Sequence, residues 1–475
     1  MSLKQNIFYN ISYQIVLIIT PLITAPYISR TIGAEGIGLH SYNYTIAYFF
    51  VLFAMLGINN YGTRKIATIK DNKELLSKTF SSIYFFQLFI SLIIIILYAL
   101  YVVFVAKGST ISSILFLFVI SACIDINWFL FGLEKFKITV IRSVIVRLIT
   151  LCALFIFVKD SSDLWVYVLI NSLGILANQF VIWLLAFKYT ILKKVTISEI
   201  TSHLKPNLIL FIPVIAMSIY TSVDTLILGV LTDMTQLGYY ENTIRIVKIP
   251  MGIIVALGTV MLPRMSNLAS LSKKEESDSL IEQSMFYVIF IASSLTFGIA
   301  GIAPIFAPVF FGDEFVEVGR LITYMTPTIL IIAWANVIRT QYLIPNHKDK
   351  IYVLSVFWGA VVNIVVNLFL IPFYGALGAV IASIAAEAAV CLCQTFMVRT
   401  KIDLIQYIKN SWMFIPIGAV MFITVRWIGE LNGTSIVTLI IQISVGAVIY
   451  LSLSLAYLLI IKRTSINGIL KYIKR

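Results

Sequence analysis

Glu241, Arg245 and Lys248 are spaced by four and three residues, which places all three on one face of a helix. Two cations against one carboxylate on such a face would attract an anion, and arginine suits a phosphate because its planar fork donates two hydrogen bonds at once. The same triad also admits an intrahelical ion pair of Glu241 with Arg245 that merely neutralises itself. Arg147, Arg30 and Arg339 complete the set of candidate anion-binding cations. Arg147 lies roughly 14 Å into an apolar run at helical rise, close to a bilayer midplane. Asp224, Glu387, Asp125 and Glu241 are the candidate carboxylates for ion coupling. A carboxylate taken out of water ionises less readily, so it can hold H⁺ or Na⁺, although an ion pair with a cation on a neighbouring helix is the alternative role. Arg142, Arg320 and Arg426, like Arg339, fall near the ends of apolar runs, where snorkelling along their own stems accounts for them.

These charges carry information because the chain around them is so apolar. Of its 475 residues 60% are hydrophobic and 12% charged, and mean hydropathy is +0.97, which excludes a soluble globular protein. Runs of about twenty apolar residues, each long enough to cross the hydrocarbon as a helix, recur along the chain. A charge at that depth costs about 2.5–3.5 kcal/mol, so each needs a partner, a watery cavity or a function. The expected fold is therefore an all-α polytopic membrane protein with about 14 transmembrane helices between residues 8 and 461. The first run, 8–29, is followed by Arg30 instead of a small-residue cleavage site and contains Pro21 and Pro26, so it reads as a retained, kinked helix and not a signal peptide.

Lys and Arg set the orientation. With the N-terminus inside, 25 of the 35 fall in inner connections and only Arg30, Lys107 and Lys159 in outer ones, which predicts both termini on the cytoplasmic side. The net charge of +13 then points to anionic lipid headgroups and not to nucleic acid. The connections are too short for a catalytic domain, and none carries a phosphate-cradling Gly-rich loop ending in Lys-Ser or Lys-Thr, so no enzyme activity and no cofactor are expected. Cys123, Cys152, Cys391 and Cys393 all lie in apolar segments and read as buried packers, with no metal site.

An internal echo recurs at an offset of two hundred: Ile37-Gly38 and Leu237-Gly238 each open a span, and Arg64 and Arg264 follow those spans. A second echo pairs Lys137-Ile138 with Lys350-Ile351. Six spans per unit make the repeat parallel, with a pseudo-twofold axis along the membrane normal. The expected organisation is a six-helix bundle over 1–187, a cytoplasmic linker over 188–206, a second six-helix bundle over 207–400, and two additional helices with a basic cytoplasmic tail over 401–475. Pro213, Pro250 and Pro327 are expected to interrupt their spans. Trp128, Trp165, Trp412 and Trp427 are placed in interfacial belts, while Tyr239 and Tyr240 could stack a sugar ring.

SRTIGAEGIGLHSYNYT (29–45), NYGTRKIA (60–67) and NIVVNLFLIPFYGALGAVIASIAAE (363–387) resemble segments of the polysaccharide flippases that export lipid-linked O-antigen and capsule repeat units. These flippases belong to the multidrug/oligosaccharidyl-lipid/polysaccharide exporter superfamily. The resemblance implies two six-helix bundles around a central cavity, a bacterial cytoplasmic-membrane location, and translocation of an undecaprenyl-pyrophosphate-linked oligosaccharide by alternating access. Membrane lipids, a polysaccharide polymerase and chain-length proteins would be its partners. Relatives that flip lipid II carry an Arg-Asp pair in the first helix where this chain has Thr24 and Ala25, so the resemblance favours a polysaccharide repeat unit. A multidrug antiporter of the same superfamily is the alternative, but that branch uses an acidic residue in the first helix and residues 8–29 contain none.

Overall fold

The computed structural model describes residues 3–461, with side chains described from Thr20 to Leu459. The basic tail expected over 462–475 lies outside the described residues. Every regular element among the described residues is helical: α1 (Leu3–Met55), α2 (Ile58–Ile69), α3 (Lys73–Leu100), α4 (Thr110–Ile114), α5 (Phe116–Ser121), α6 (Asn127–Gly132), α7 (Phe136–Phe157), α8 (Leu164–Ala186), α9 (Ile197–Thr201), α10 (Leu204–Leu231), α11 (Met234–Ser270), α12 (Lys274–Phe311), α13 (Val316–Met325), α14 (Pro327–Val337), α15 (Asp349–Tyr374), α16 (Ala376–Val398), α17 (Leu404–Ser411), α18 (Phe414–Asn432) and α19 (Ile436–Ala456).

Thirteen segments among the described residues are long and apolar enough to cross a membrane. The first, Thr20–Ile69, contains a break: Gly33 sits at φ 78°, ψ 175°, a backbone conformation that a Cβ would strain. Dividing α1 there separates the two spans expected over 8–29 and 37–61. The interruption thus falls on Gly33, whereas the helix continues through Pro21 and Pro26. Likewise α10 runs through Pro213 and α11 through Pro250, because neighbouring groups can absorb a freed carbonyl in a membrane helix. Pro327 alone of the three marks a helix boundary. It occupies the first turn of α14, where its missing N–H would have no intrahelical partner anyway.

The residues divide into two compact units, one holding the chain up to Gly229 with Asp233–Gly238, the other holding Val230–Thr232 and the chain from Tyr239. In the first, α1 packs on α3 and α7, α2 on α6, and α7 on α8. An aromatic core joins Phe80, Trp128 and Phe129 with Tyr84 and Trp183 at its edge. His203, buried ahead of α10, ties that helix to α2 and α3 through Tyr61 Oη (2.7 Å from Nδ1) and Ser82 Oγ (2.8 Å from Nε2). In the second unit α12 is the hub for α13, α14, α18 and α19, while α15 pairs with α16. Large apolar side chains such as Phe104, Val260 and Phe373 are exposed, which fits a lipid-facing exterior.

The echo at offset two hundred corresponds to a real contact within the first unit. A Cβ on Gly38 would lie 1.8 Å from the Met234 carbonyl oxygen, and one on Gly238 would lie 1.9 Å from that of Ala34. Each glycine faces the carbonyl four residues before the other, so the crossing is reciprocal and leaves no room for any side chain on either helix.

Two sequence expectations are corrected by burial. Trp128 is fully buried, donating its indole N–H to Gln87 Oε1 at 2.9 Å, and so does not sit in a belt, whereas Trp165, Trp412 and Trp427 are exposed. Of the cysteines only Cys123 is buried; Cys152 is exposed, and Cys391 and Cys393 are half-buried. Apolar runs show that a residue lies in the membrane but not which side faces lipid, and both corrections come from that missing rotation.

Candidate functional site

The segment Thr110–Gly132 crosses as a broken helix: α5 ends in a 3₁₀ turn over Ala122–Ile124, Asp125 is extended (φ −77°, ψ 94°), and α6 resumes at Asn127. A break at membrane depth frees backbone groups that must find partners inside the protein. Gln87 on α3 donates to the carbonyls of Ala122 (2.7 Å) and Asp125 (2.8 Å), and Trp183 on α8 donates to that of Ile124 (2.9 Å). Asp125 Oδ1 accepts from the backbone N–H of Asn127 (3.0 Å) and from its side-chain amide (2.7 Å). That amide also donates to Gln179 Oε1 at 3.0 Å, and Asn127 Oδ1 accepts from Arg142 Nη2 at 2.8 Å.

Arg142 is therefore not snorkelling. It is 6% exposed and held in a polar network with Asn127, which links it to Asp125. Its distance from the end of the run suggests an interfacial residue; its rotation on α7 turns it inward. Gln87, Asn127 and Gln179 are absent from the sequence-derived candidates because they are uncharged, yet amides inside apolar runs, together with the Asp-Ile-Asn spacing of an Asx turn, are the available signal.

Among the other first-unit candidates, Arg147 is half-buried on α7 and Arg30 is exposed on α1, three residues before the break at Gly33. One turn before Arg30, Tyr27 Oη donates to the Val158 carbonyl at 2.5 Å, fixing this part of α1 to the end of α7. Asp224 is 7% exposed on α10. The α10 face that carries Ser218 and Gly229 packs on Tyr48 and Tyr42 of α1.

In the second unit α11 carries the triad. Glu241 and Arg245 are half-buried and Lys248 is exposed, whereas Asn242, Thr243, Ile246 and Val247 are buried, so the charged face is the open one. Among the described residues no ion pair joins Glu241 to Arg245. Tyr240 Oη hydrogen-bonds Ser383 Oγ of α16 at 2.9 Å, and fully buried Tyr240 is no sugar platform; Tyr239 packs edge-on to Phe315. Further along, Asn336 donates to the Ile254 carbonyl of α11 (3.1 Å) and Trp334 donates to Thr395 Oγ1 of α16 (3.0 Å). The two anchor points order residues 240 and 254 with 383 and 395, so α11 and α16 run parallel. Glu387 then lies about 6 Å beyond Ser383 and Arg245 about 7.5 Å beyond Tyr240, at nearly one level. Glu387 itself is half-buried.

Arg339 sits in a π-helical turn, Ile338–Leu343, of a kind that often marks functional positions. Its Nη2 donates to Asn336 Oδ1 at 2.6 Å, and its guanidinium lies 5.7 Å from the Tyr352 ring centroid. The asparagine that fastens α14 to α11 thus also aims this arginine. Arg320 and Arg426 instead pair with Glu317 (3.6 Å) and Glu430 (3.7 Å) on their own helices.

The sequence model of the family described as "Polysaccharide biosynthesis protein" matches residues 3–269. The chain belongs to that family. The chain is also similar to a putative O-antigen transporter of Escherichia coli K12, 23% identical over 84% of this chain and 98% of the relative. A probable low-salt glycan biosynthesis flippase of Haloferax volcanii is 23% identical over half of each chain. The fold is that of two solved structures. The lipid II flippase MurJ, in an inward closed conformation, matches with a TM-score of 0.75 at 17% identity, covering 95% of this chain and 99% of the other. A multidrug resistance MATE family transporter of the MOP superfamily matches at 0.57 and 12%, covering 80% and 94%. This member of the polysaccharide biosynthesis family is thus a multi-pass membrane protein that shares the fold of these two structures.

Proposed function

We propose that this chain turns an undecaprenyl-pyrophosphate-linked oligosaccharide repeat unit from the inner to the outer leaflet of the bacterial cytoplasmic membrane, by alternating access, for surface polysaccharide synthesis. Both termini lie in the cytoplasm in this reading, as the basic connections require. The observation that carries it is the open cationic face of α11: Arg245 and Lys248 stay on the less buried side of a membrane helix whose other flank is packed. Isolated cations at that depth are too costly to be inert, and together with Arg147, Arg30 and Arg339 they suit a pyrophosphate and acidic sugars. The O-antigen transporter relatives support the same substrate class.

Lipid II is a poorer fit. Thr24 hydrogen-bonds the Thr20 carbonyl of its own helix at 3.0 Å and Ala25 is buried, so this turn offers no charge. The antiporter alternative rests on fold likeness alone.

Arg147→Ala and Arg245→Ala are each expected to lower surface polysaccharide about tenfold at unchanged membrane insertion, the loss of a charge-assisted bidentate contact. Arg147→Lys should rescue only part of it. Normal polysaccharide in both alanine variants would remove the cations from the transport path. Coupling by H⁺ or Na⁺ is assigned first to Asp224, a carboxylate buried on α10 inside an apolar run. In the same assay Asp224→Asn should flatten the dependence of export on pH or Na⁺, and an unaltered dependence would make it a packing residue.

A further inference from the structure

Three connections that the positive-inside pattern assigns to one side, 62–78, 133–137 and 188–206, meet at one end of the first unit and wall a cavity of about 720 Å³. Lys70, Lys73, Lys135, Lys188 and Lys193 line it against only Asp71 and Glu74. Some of that charge is satisfied internally: Lys70 Nζ lies 2.9 Å from Glu134 Oε1, Lys193 Nζ 3.2 Å from Glu74 Oε1, and Lys135 rests 5.2 Å from the centroid of the Tyr189 ring. The Glu134 carboxylate holds the Lys70 ammonium above its ordinary pKa, so it stays protonated. The side-chain ammonium groups of Lys73 and Lys188 make no ion pair or hydrogen bond among the described residues, and both residues are exposed.

The cavity is built and not merely basic. Its wall over 190–193 is non-helical chain pinned to α3, where Ser77 Oγ accepts from Ile191 N (3.5 Å) and Ser81 Oγ accepts from Lys193 N (2.8 Å). The first turn of α3, capped by Asn72, also lines the cavity and adds the positive end of a long helix. Thr190 lines the same space, is 3% exposed, and its hydroxyl has no hydrogen-bond partner. A buried, unsatisfied hydroxyl in the lining of a cavity that two exposed lysines also line fits an acceptor-rich anion.

We propose that this cavity is a phosphate-binding site at the cytoplasmic end of the first unit, in which Lys73, Lys188 and Thr190 hold a phosphate-bearing anion, either the headgroup of an anionic phospholipid or a soluble phosphate. The volume accommodates a headgroup with its glycerol or a pyrophosphate. The site is separate from the α11 triad and does not depend on the transport reading.

The full chain in detergent is titrated with phosphatidylglycerol, counting retained lipids by native mass spectrometry, and separately with inorganic pyrophosphate by calorimetry. Lys73→Ala/Lys188→Ala should weaken binding of one or both probes about tenfold, and Thr190→Val about threefold. Lys348→Ala/Lys350→Ala, with the same charge change in another basic connection, should bind like the parent. Loss confined to the lipid assigns the headgroup, and loss of pyrophosphate binding assigns a soluble source. If neither probe binds the cavity variant more weakly than the control variant, the site does not exist. Both cavity lysines are exposed, so the fold should tolerate their loss.

Discussion

Gly38→Leu and Gly238→Leu are expected to leave no monodisperse protein after extraction from the membrane, and Gly38→Ala is expected to lower stability by about 3 kcal/mol or more. The reason is geometric. The atom added at either position would sit under 2 Å from a main-chain oxygen of the facing helix, and main chain cannot rotate aside as a side-chain tip can. The helices would have to separate, losing the close packing that holds membrane helices together without a hydrophobic driving force. Gly252, on α11 with nothing within 4 Å of its would-be Cβ, is the control: alanine there should be neutral or stabilising by about 0.5–1 kcal/mol. Thermal unfolding in detergent, followed by size-exclusion chromatography, distinguishes them. A Gly38→Ala midpoint equal to that of Gly252→Ala would show that α1 and α11 do not cross there.

The second large effect is expected at Gln87, fully buried on α3. Its amide donates to two carbonyls freed by the broken helix, and its oxygen accepts from the Trp128 indole. Gln87→Leu keeps much of the volume and removes these bonds, stranding the Asp125 carbonyl and the Trp128 N–H in an apolar core and leaving the Ala122 carbonyl only the Asp125 N–H at 3.4 Å. At about 1–3 kcal/mol for each unsatisfied group, with incomplete additivity, a loss of about 4 kcal/mol is expected. Trp128 reports the change directly, since its fluorescence should shift as the indole loses its acceptor. Parent-like stability would mean that the break between α5 and α6 is held by other groups.

How far these features are legible in the sequence depends on the kind of signal each leaves. Membrane spans are a property of composition over twenty residues, and the expected set is found once α1 is divided at Gly33. The echo of Gly38 in Gly238 is visible as a repeat but not as a contact, because nothing in a sequence says that two copies of a motif touch. Charges stand out against an apolar background, so Glu241, Arg245 and Lys248 can be placed on one helix face, and burial of their neighbours shows that face to be the open one. Rotation is where reading from depth fails. Arg142 and Trp128 lie near run ends, and depth alone assigns them to the interface; both point inward, into contacts with Asn127 and Gln87 that lie 15 and 41 residues away in the chain. The basic cavity is likewise legible only as a count of lysines, since its walls come from three connections that only folding brings together.

The central claim is that the chain translocates a lipid-linked oligosaccharide, and the leaflet distribution of that lipid in cells tests it most directly. Cells lacking the chain should accumulate a complete undecaprenyl-linked repeat unit that a membrane-impermeant glycosidase added from outside cannot reach. The parent gene should restore access and Arg245→Ala should not. If no such intermediate accumulates, and the cells become sensitive to cationic drugs instead, the flippase account is contradicted and the antiporter takes its place.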